Sequence, residues 1–243
     1  MRANKYLRFI LIVSIIIFVF SIYYYGATNF HKYPDSITYL NAWGNFTRGI
    51  IDEVRTPVYP FYLGIAKFLF GDEYFVFLAV LGQYFIFTLS IVAFYSICRH
   101  IINSSTIVFG VTLLYAINPF IYSWCACILT ESFSICGTVF LLYCLLNQYK
   151  KHNWYWFATT TILLIILLML RPSFVYLLPI LFVSWGFLIK KNGKRQQAVA
   201  GIASTTIAMI GLFIYMFLFQ QQYGIFSTSC VSTNNNFIIY QLL

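Results

Sequence analysis

Residues 31–64 read HKYPDSITYLNAWGNFTRGIIDEVRTPVYPFYLG, and three of the six acidic residues in the 243-residue chain, Asp35, Asp52 and Glu53, stand in them. After Pro34, the apolar residues Ile37, Leu40, Trp43 and Phe46 recur about one turn apart, while Ser36, Asn41 and Asn45 fall elsewhere. That spacing predicts a short helix lying in the plane of a membrane interface. Pro57 and Pro60 then impose an extended entry to a second short helix. On it Phe61, Ile65 and Leu69 share one face, over a piece too short to span a bilayer. The stretch therefore reads as a loop folded over the ends of a helical bundle, with Asp35 and Arg55 held near the bilayer surface. Asp35, following a proline, is also a good helix N-cap, and a cap is a rigid way to aim a carboxylate.

Composition agrees with a membrane setting. The chain is 61% hydrophobic and 21% aromatic with 9% charged residues, against about 25% charge in soluble domains. It reads as an all-α polytopic membrane protein forming one transmembrane domain over 1–243, with no room for a separate soluble domain. The net charge of +9 does not point to nucleic acid, because the basic residues fall in short clusters between apolar runs, as in loops held on the cytoplasmic side. About seven spans are predicted: 7–25, 74–97, 106–121, 127–147, 154–170, 174–189 and 198–219, with an outer loop over 26–73 and an outer tail over 220–243. The first, with a bulky exit, reads as a retained signal anchor rather than a cleaved peptide.

Lysine and arginine set the orientation. With the N-terminus in the cytoplasm, Arg2, Lys5, Arg8, Arg99, Lys150, Lys151, Lys190, Lys191, Lys194 and Arg195 face inward, and Lys32, Arg48, Arg55, Lys67 and Arg171 face outward. All six acids, Asp35, Asp52, Glu53, Asp72, Glu73 and Glu131, then fall on the outer half. Glu131 is expected one or two turns into the fourth span. A charge at the centre of a span costs ~2.5–3.5 kcal/mol, less near its ends, and commonly marks a cavity or a partner. The plain alternative is a carboxylate that snorkels to water. Arg171, before Pro172, is expected at a tight outer corner between the fifth and sixth spans, placed for a phosphate or for Glu131. Its plain alternative is interfacial anchoring.

The remaining features are weaker. Cys98, Cys136 and Cys144 lie in apolar runs as small buried side chains. Cys125 and Cys127 lack the partner pattern of a metal site, and Cys230 stands alone in the polar tail. His31, His100 and His152 are far apart on both faces, so no metal triad is expected. The sequons at Asn45 and Asn103 are of a kind common by chance, and the second faces inward. KKNGKR, residues 190–195, is most simply a positive-inside loop, with anionic-lipid binding as the lesser reading.

PDSITYLNAW and RTPVYPFYLGIAKFLFG, followed by NPFIYSWCACILTESF and RPSFVYLLP, together resemble the membrane glycosyltransferases of the GT-C fold. The likeness is to bacterial protein O-mannosyltransferases and lipid A aminoarabinose transferases, and it covers roughly residues 7–179. Each motif is short, and their order is more specific than any one of them. The resemblance implies a bacterial inner or plasma membrane location and a polyprenyl-phosphate sugar donor. The acceptor would be a glycan, a lipid or a protein. It further implies Asp35 as the catalytic base and Glu131 as the second acid of the pocket, with Arg55, Tyr59 and Arg171 on the donor side. No cofactor is implied; a divalent metal is compatible with the resemblance but is not indicated by it. Two departures stand out. Many relatives carry Asp-Glu where this chain has Asp35-Ser36, and they are considerably longer. A fragment, a truncated gene or a subunit needing a partner is the corresponding expectation.

The rival class is a non-enzymatic membrane protein: a lipid-linked-sugar flippase or transporter, or an inactive remnant. A transporter is expected to carry polar or Gly/Pro-broken positions near mid-membrane in several spans. Spans two, five and seven offer almost none, and no nucleotide-binding motif suggests a nucleotide-sugar donor.

Overall fold

Apolar runs of this length leave the backbone one economical solution in lipid, the helix, which satisfies its own N–H and C=O groups. The computed structural model describes residues 2–25, 33–151, 153–190 and 193–230, and these are helical with no strand. The expectations for His31, Lys32, His152, Lys191 and the tail beyond residue 230 lie outside the described residues. The helices are α1 (Arg2–Tyr25), α2 (Pro34–Phe46), α3 (Val58–Ile101), α4 (Ser105–Ala116), α5 (Pro119–Cys125), α6 (Glu131–Lys150), α7 (Trp154–Leu170), α8 (Leu177–Ile189) and α9 (Arg195–Tyr223), with a 3-10 turn at Pro172–Tyr176 before α8.

Each apolar run of the sequence has become a helix, with differences that have local causes. Five helices are long and apolar enough to cross a membrane, or six if the pair α4 and α5, bent by 42°, forms one span. The bend falls at Asn118-Pro119. The residue before a proline is pushed out of α geometry, and Asn118 is extended, its side chain capping the Phe120 amide. The fourth run begins its helix only at Glu131, with residues 127–130 in turns and bends. Glu131 is therefore the first residue of α6, not one or two turns inside it, and its carboxylate sits at the positive end of the helix dipole. At 17 residues, α7 is short for a span. Within Val58–Ile101 the helix breaks at Gly71, whose φ of 74° is left-handed. The short helix that ends there and the long apolar helix beyond it cover the residues of the two elements expected.

Contacts divide the chain into two compact units, one of residues 1–37 with 63–143, the other of 38–62 with 144–243. In the first, the Tyr122 hydroxyl donates to the Ser14 carbonyl at 3.0 Å, fixing α1 to α5. Gln83 is 1% exposed. Its Nε2 donates to the carbonyls of Cys125 at 3.0 Å and Cys127 at 2.9 Å, and its Oε1 accepts from Ser132 Oγ at 2.9 Å. Those carbonyls are the ones freed by the break between α5 and α6. Irregular backbone at membrane depth is tolerated only where protein satisfies it, and a glutamine in a span does so here.

In the second unit α9 packs along both α7 and α8. A Cβ on Gly201 would collide with the Trp185 ring. This helix contact is therefore as close as glycine allows, the usual route to tight packing in lipid.

Candidate functional site

The loop owes its shape to the polar residues of its turns. Pro34 opens α2, and Ser36, two residues later, turns back so that its Oγ accepts from the Tyr33 amide at 3.2 Å. This is the reciprocal half of a capping box. Ser36, which makes this bond, is fully buried. Asp35 lies exposed in the first turn. The inward face of α2 is Ser36, Tyr39 and Ala42, whereas Ile37 is 55% exposed. The rest of the apolar stripe is half-buried, with Trp43 and Phe46 packed on the Phe61 ring at 5.4 and 5.3 Å. On the second surface helix Phe61, Ile65 and Leu69 are likewise exposed, with Tyr59, Leu63 and Ala66 buried behind them.

Asp52 closes the next turn. One carboxylate oxygen accepts from the amides of Val54 at 2.9 Å and Arg55 at 2.7 Å, and the other from Asn45 Nδ2 at 2.8 Å. It is 7% exposed, so this acid is architecture, an Asx turn that presents Arg55. The Arg55 Nε donates to Thr38 Oγ1 at 2.7 Å and an Nη to the Tyr39 hydroxyl at 3.2 Å, and its guanidinium carbon stands 4.1 Å from the Tyr39 ring centre. Tyr59 is fully buried and meets Tyr39 edge-on at 5.0 Å. It supports the ring that supports the arginine.

Thr56, next in sequence, donates its hydroxyl to the Leu170 carbonyl at 3.0 Å. The residue after Leu170 is Arg171, exposed and extended because Pro172 follows. The second unit thus ties the Arg55 segment to the Arg171 segment. Its turn is further held to α9, where Tyr223 donates to the Ile51 carbonyl at 2.6 Å and Gln222 makes a pair of bonds with the Ile51 backbone.

The first unit gathers the starts of α2 and α6. The Tyr33 ring packs against Trp124 at 6.1 Å, and Tyr33 neighbours Cys127, which raises its hydroxyl above the ordinary phenol range. Cys127 is also within electrostatic range of Glu131. Tyr33, Cys127 and Glu131 therefore belong to one neighbourhood. In the same unit Ile17, Phe20, Tyr24, Ile117, Pro119 and Tyr122 line an apolar groove of about 250 Å³.

All six cysteines are unpaired. Burial and the Glu53 carboxylate push the Cys230 thiol up, away from the reactive thiolate. No group of three histidine, cysteine or acidic side chains is placed to hold a metal among the described residues. Sequence reading passed over Gln83 and Gln148, whose signal was a primary amide within or at the end of an apolar run. Compared with protein-family models, curated proteins and solved structures, the chain matches none of them.

Proposed function

We propose that this chain is the core of a membrane glycosyltransferase that moves a sugar from a polyprenyl-phosphate donor to an acceptor hydroxyl or amine at the outer membrane face. In the reaction, Asp35 takes the acceptor proton while the acceptor attacks the anomeric carbon. The bond from that carbon to the phosphate oxygen breaks, and polyprenyl phosphate leaves. Arg55 and Arg171 stabilise the charge on the departing phosphate, and Glu131 is the second acid.

The observation that carries this reading is the Arg55 cradle. Evolution of a solvated surface charge does not call for an Asx turn, a hydroxyl, a phenol and an aromatic face around one guanidinium. A preorganised cation aimed at developing charge does, and an arginine fork suits phosphate oxygens. Further support comes from the bond tying this segment to that of Arg171, and from an apolar groove in the unit of Asp35, suited to part of an isoprenoid tail. Tyr59 serves this site from behind Tyr39. The seven-span, GT-C-like arrangement with a cytoplasmic N-terminus belongs to the same proposal.

The transporter reading draws on one observation, the bend between α4 and α5 and the irregular residues after α5, since broken helices line transporter sites. The carbonyls freed there are already taken by Gln83, which favours a structural break. Photo-crosslinkable polyprenyl-phosphate sugar, offered to membranes holding the chain, tests donor binding. Labelling that falls about tenfold in Arg55→Lys is expected; labelling no stronger than in membranes without the chain would refute the reading.

A further inference from the structure

The second unit contains a pocket that the proposed chemistry does not use. It lies where α6 ends and α7 and α9 begin, has a volume of about 230 Å³, and is lined by Gln148, Lys151, Asn153, Trp154, Phe157, Gln197 and Ala200. Gln148 is 2% exposed. Among the described residues neither its amide nitrogen nor its amide oxygen has a hydrogen-bond partner, and the same holds for the amide oxygen of Gln197. Leaving such groups orphaned costs stability. Neighbouring groups are bonded: Lys194 donates to the Tyr149 carbonyl at 3.0 Å and lies 4.5 Å from the Tyr149 ring centre, and Asn153 caps α7 through the Tyr155 amide. The orphaned amides are confined to the pocket wall.

Their chemistry selects a ligand. Gln148 offers a donor and an acceptor, and Gln197 an acceptor. A bare phosphate cannot donate to the two oxygens, and an ammonium cannot accept from the nitrogen. A hydroxyl does both. Lys151 stands at the rim, with Lys150 and Arg195 exposed at the same helix ends, so the ligand carries negative charge. Trp154, 78% exposed, offers an indole face of the kind that sits at bilayer headgroup level. We propose that this pocket binds a polyol phosphate, its hydroxyls on Gln148 and Gln197 and its phosphate beside Lys151. The same chemistry occurs as the head of a hydroxylated anionic phospholipid and, free in water, as a glycerophosphodiester. The site is independent of the glycosyltransferase reading.

The test uses the full chain purified in detergent, with lipid retention read by native mass spectrometry and stability by thermal unfolding. Phosphatidylglycerol, phosphatidic acid, which lacks the polyol, and soluble glycerophosphoglycerol are offered separately. The expected result is phosphatidylglycerol bound at least tenfold more tightly than phosphatidic acid, a preference abolished in Gln148→Leu and weakened in Trp154→Ala, whose exposed side chain the fold does not need. Gln148→Leu without ligand is expected to unfold at the same temperature as wild type or higher, because it removes orphaned groups. Binding of glycerophosphoglycerol as tight as that of the lipid assigns the site to the soluble source and sustains the polyol-phosphate chemistry. Equal binding of the two lipids by wild type, or by wild type and both variants, overturns the proposal. So does a lower unfolding temperature for ligand-free Gln148→Leu, which would mean that the amide is already satisfied within the fold.

Discussion

Gln83 and Gln148 are the same side chain, buried to the same degree, in the two units of the molecule, and they are used in opposite ways. Gln83 makes three hydrogen bonds and stitches the backbone where α5 gives way to α6. Gln148 makes none among the described residues and borders a cavity. Burial alone therefore does not say what a polar group in a membrane protein is for. A saturated amide belongs to the architecture, and an orphaned one beside a cavity marks where something else binds. The Arg55 region lies between these extremes, with part of the guanidinium spent on Thr38 and Tyr39 and its aromatic support fully buried.

The largest effect that sharpens the contrast is expected from Gln83→Leu. It strands two buried carbonyls and the Ser132 hydroxyl, and should lower stability by about 2–4 kcal/mol, read as a lower unfolding midpoint in detergent. A loss near zero would put Gln83 and Gln148 in one class and break the comparison. Asp52→Ala removes three acceptor contacts from a buried turn and should cost about 2–3 kcal/mol, with donor labelling falling along with stability because Arg55 loses its seat. Gly201→Ala is the packing control near the Gln148 end, since the added methyl meets the Trp185 ring and should cost about 1–3 kcal/mol while leaving the lipid preference intact. Arg55→Lys keeps the charge but loses the fork and the stacking. It should cost no more than about 1 kcal/mol of stability, and separates the structural from the ligand-binding use of this arginine when set beside its effect on donor labelling.

What the sequence made legible follows from what lipid demands. Apolar runs of span length became helices, and Pro172 put Arg171 on an extended corner. The features that escaped depend on partners distant in sequence. That Gln83 serves Cys125 and Cys127, some 40 residues away, is not written in either segment. The depth of Glu131 was misread because residues 127–130 are as apolar as a helix start would be, and only their turn geometry separates them from α6. On α2 the apolar stripe was legible but its partner was not: Trp43 and Phe46 pack on Phe61 of the next helix. Of the three carboxylates in the loop, Asp52 proved to be a turn-former, a role visible only once Val54, Arg55 and Asn45 are seen converging on it.

The central claim is sugar transfer with Asp35 as the base. It is tested most directly by giving membranes that carry the 243-residue chain a panel of radiolabelled polyprenyl-phosphate sugars, with wild type and Asp35→Asn compared at equal expression. The account predicts transfer of label by wild type and its loss by at least a hundredfold in the variant, as expected when a general base is removed. Transfer undiminished in Asp35→Asn, or none by wild type from any donor in the panel, would contradict it.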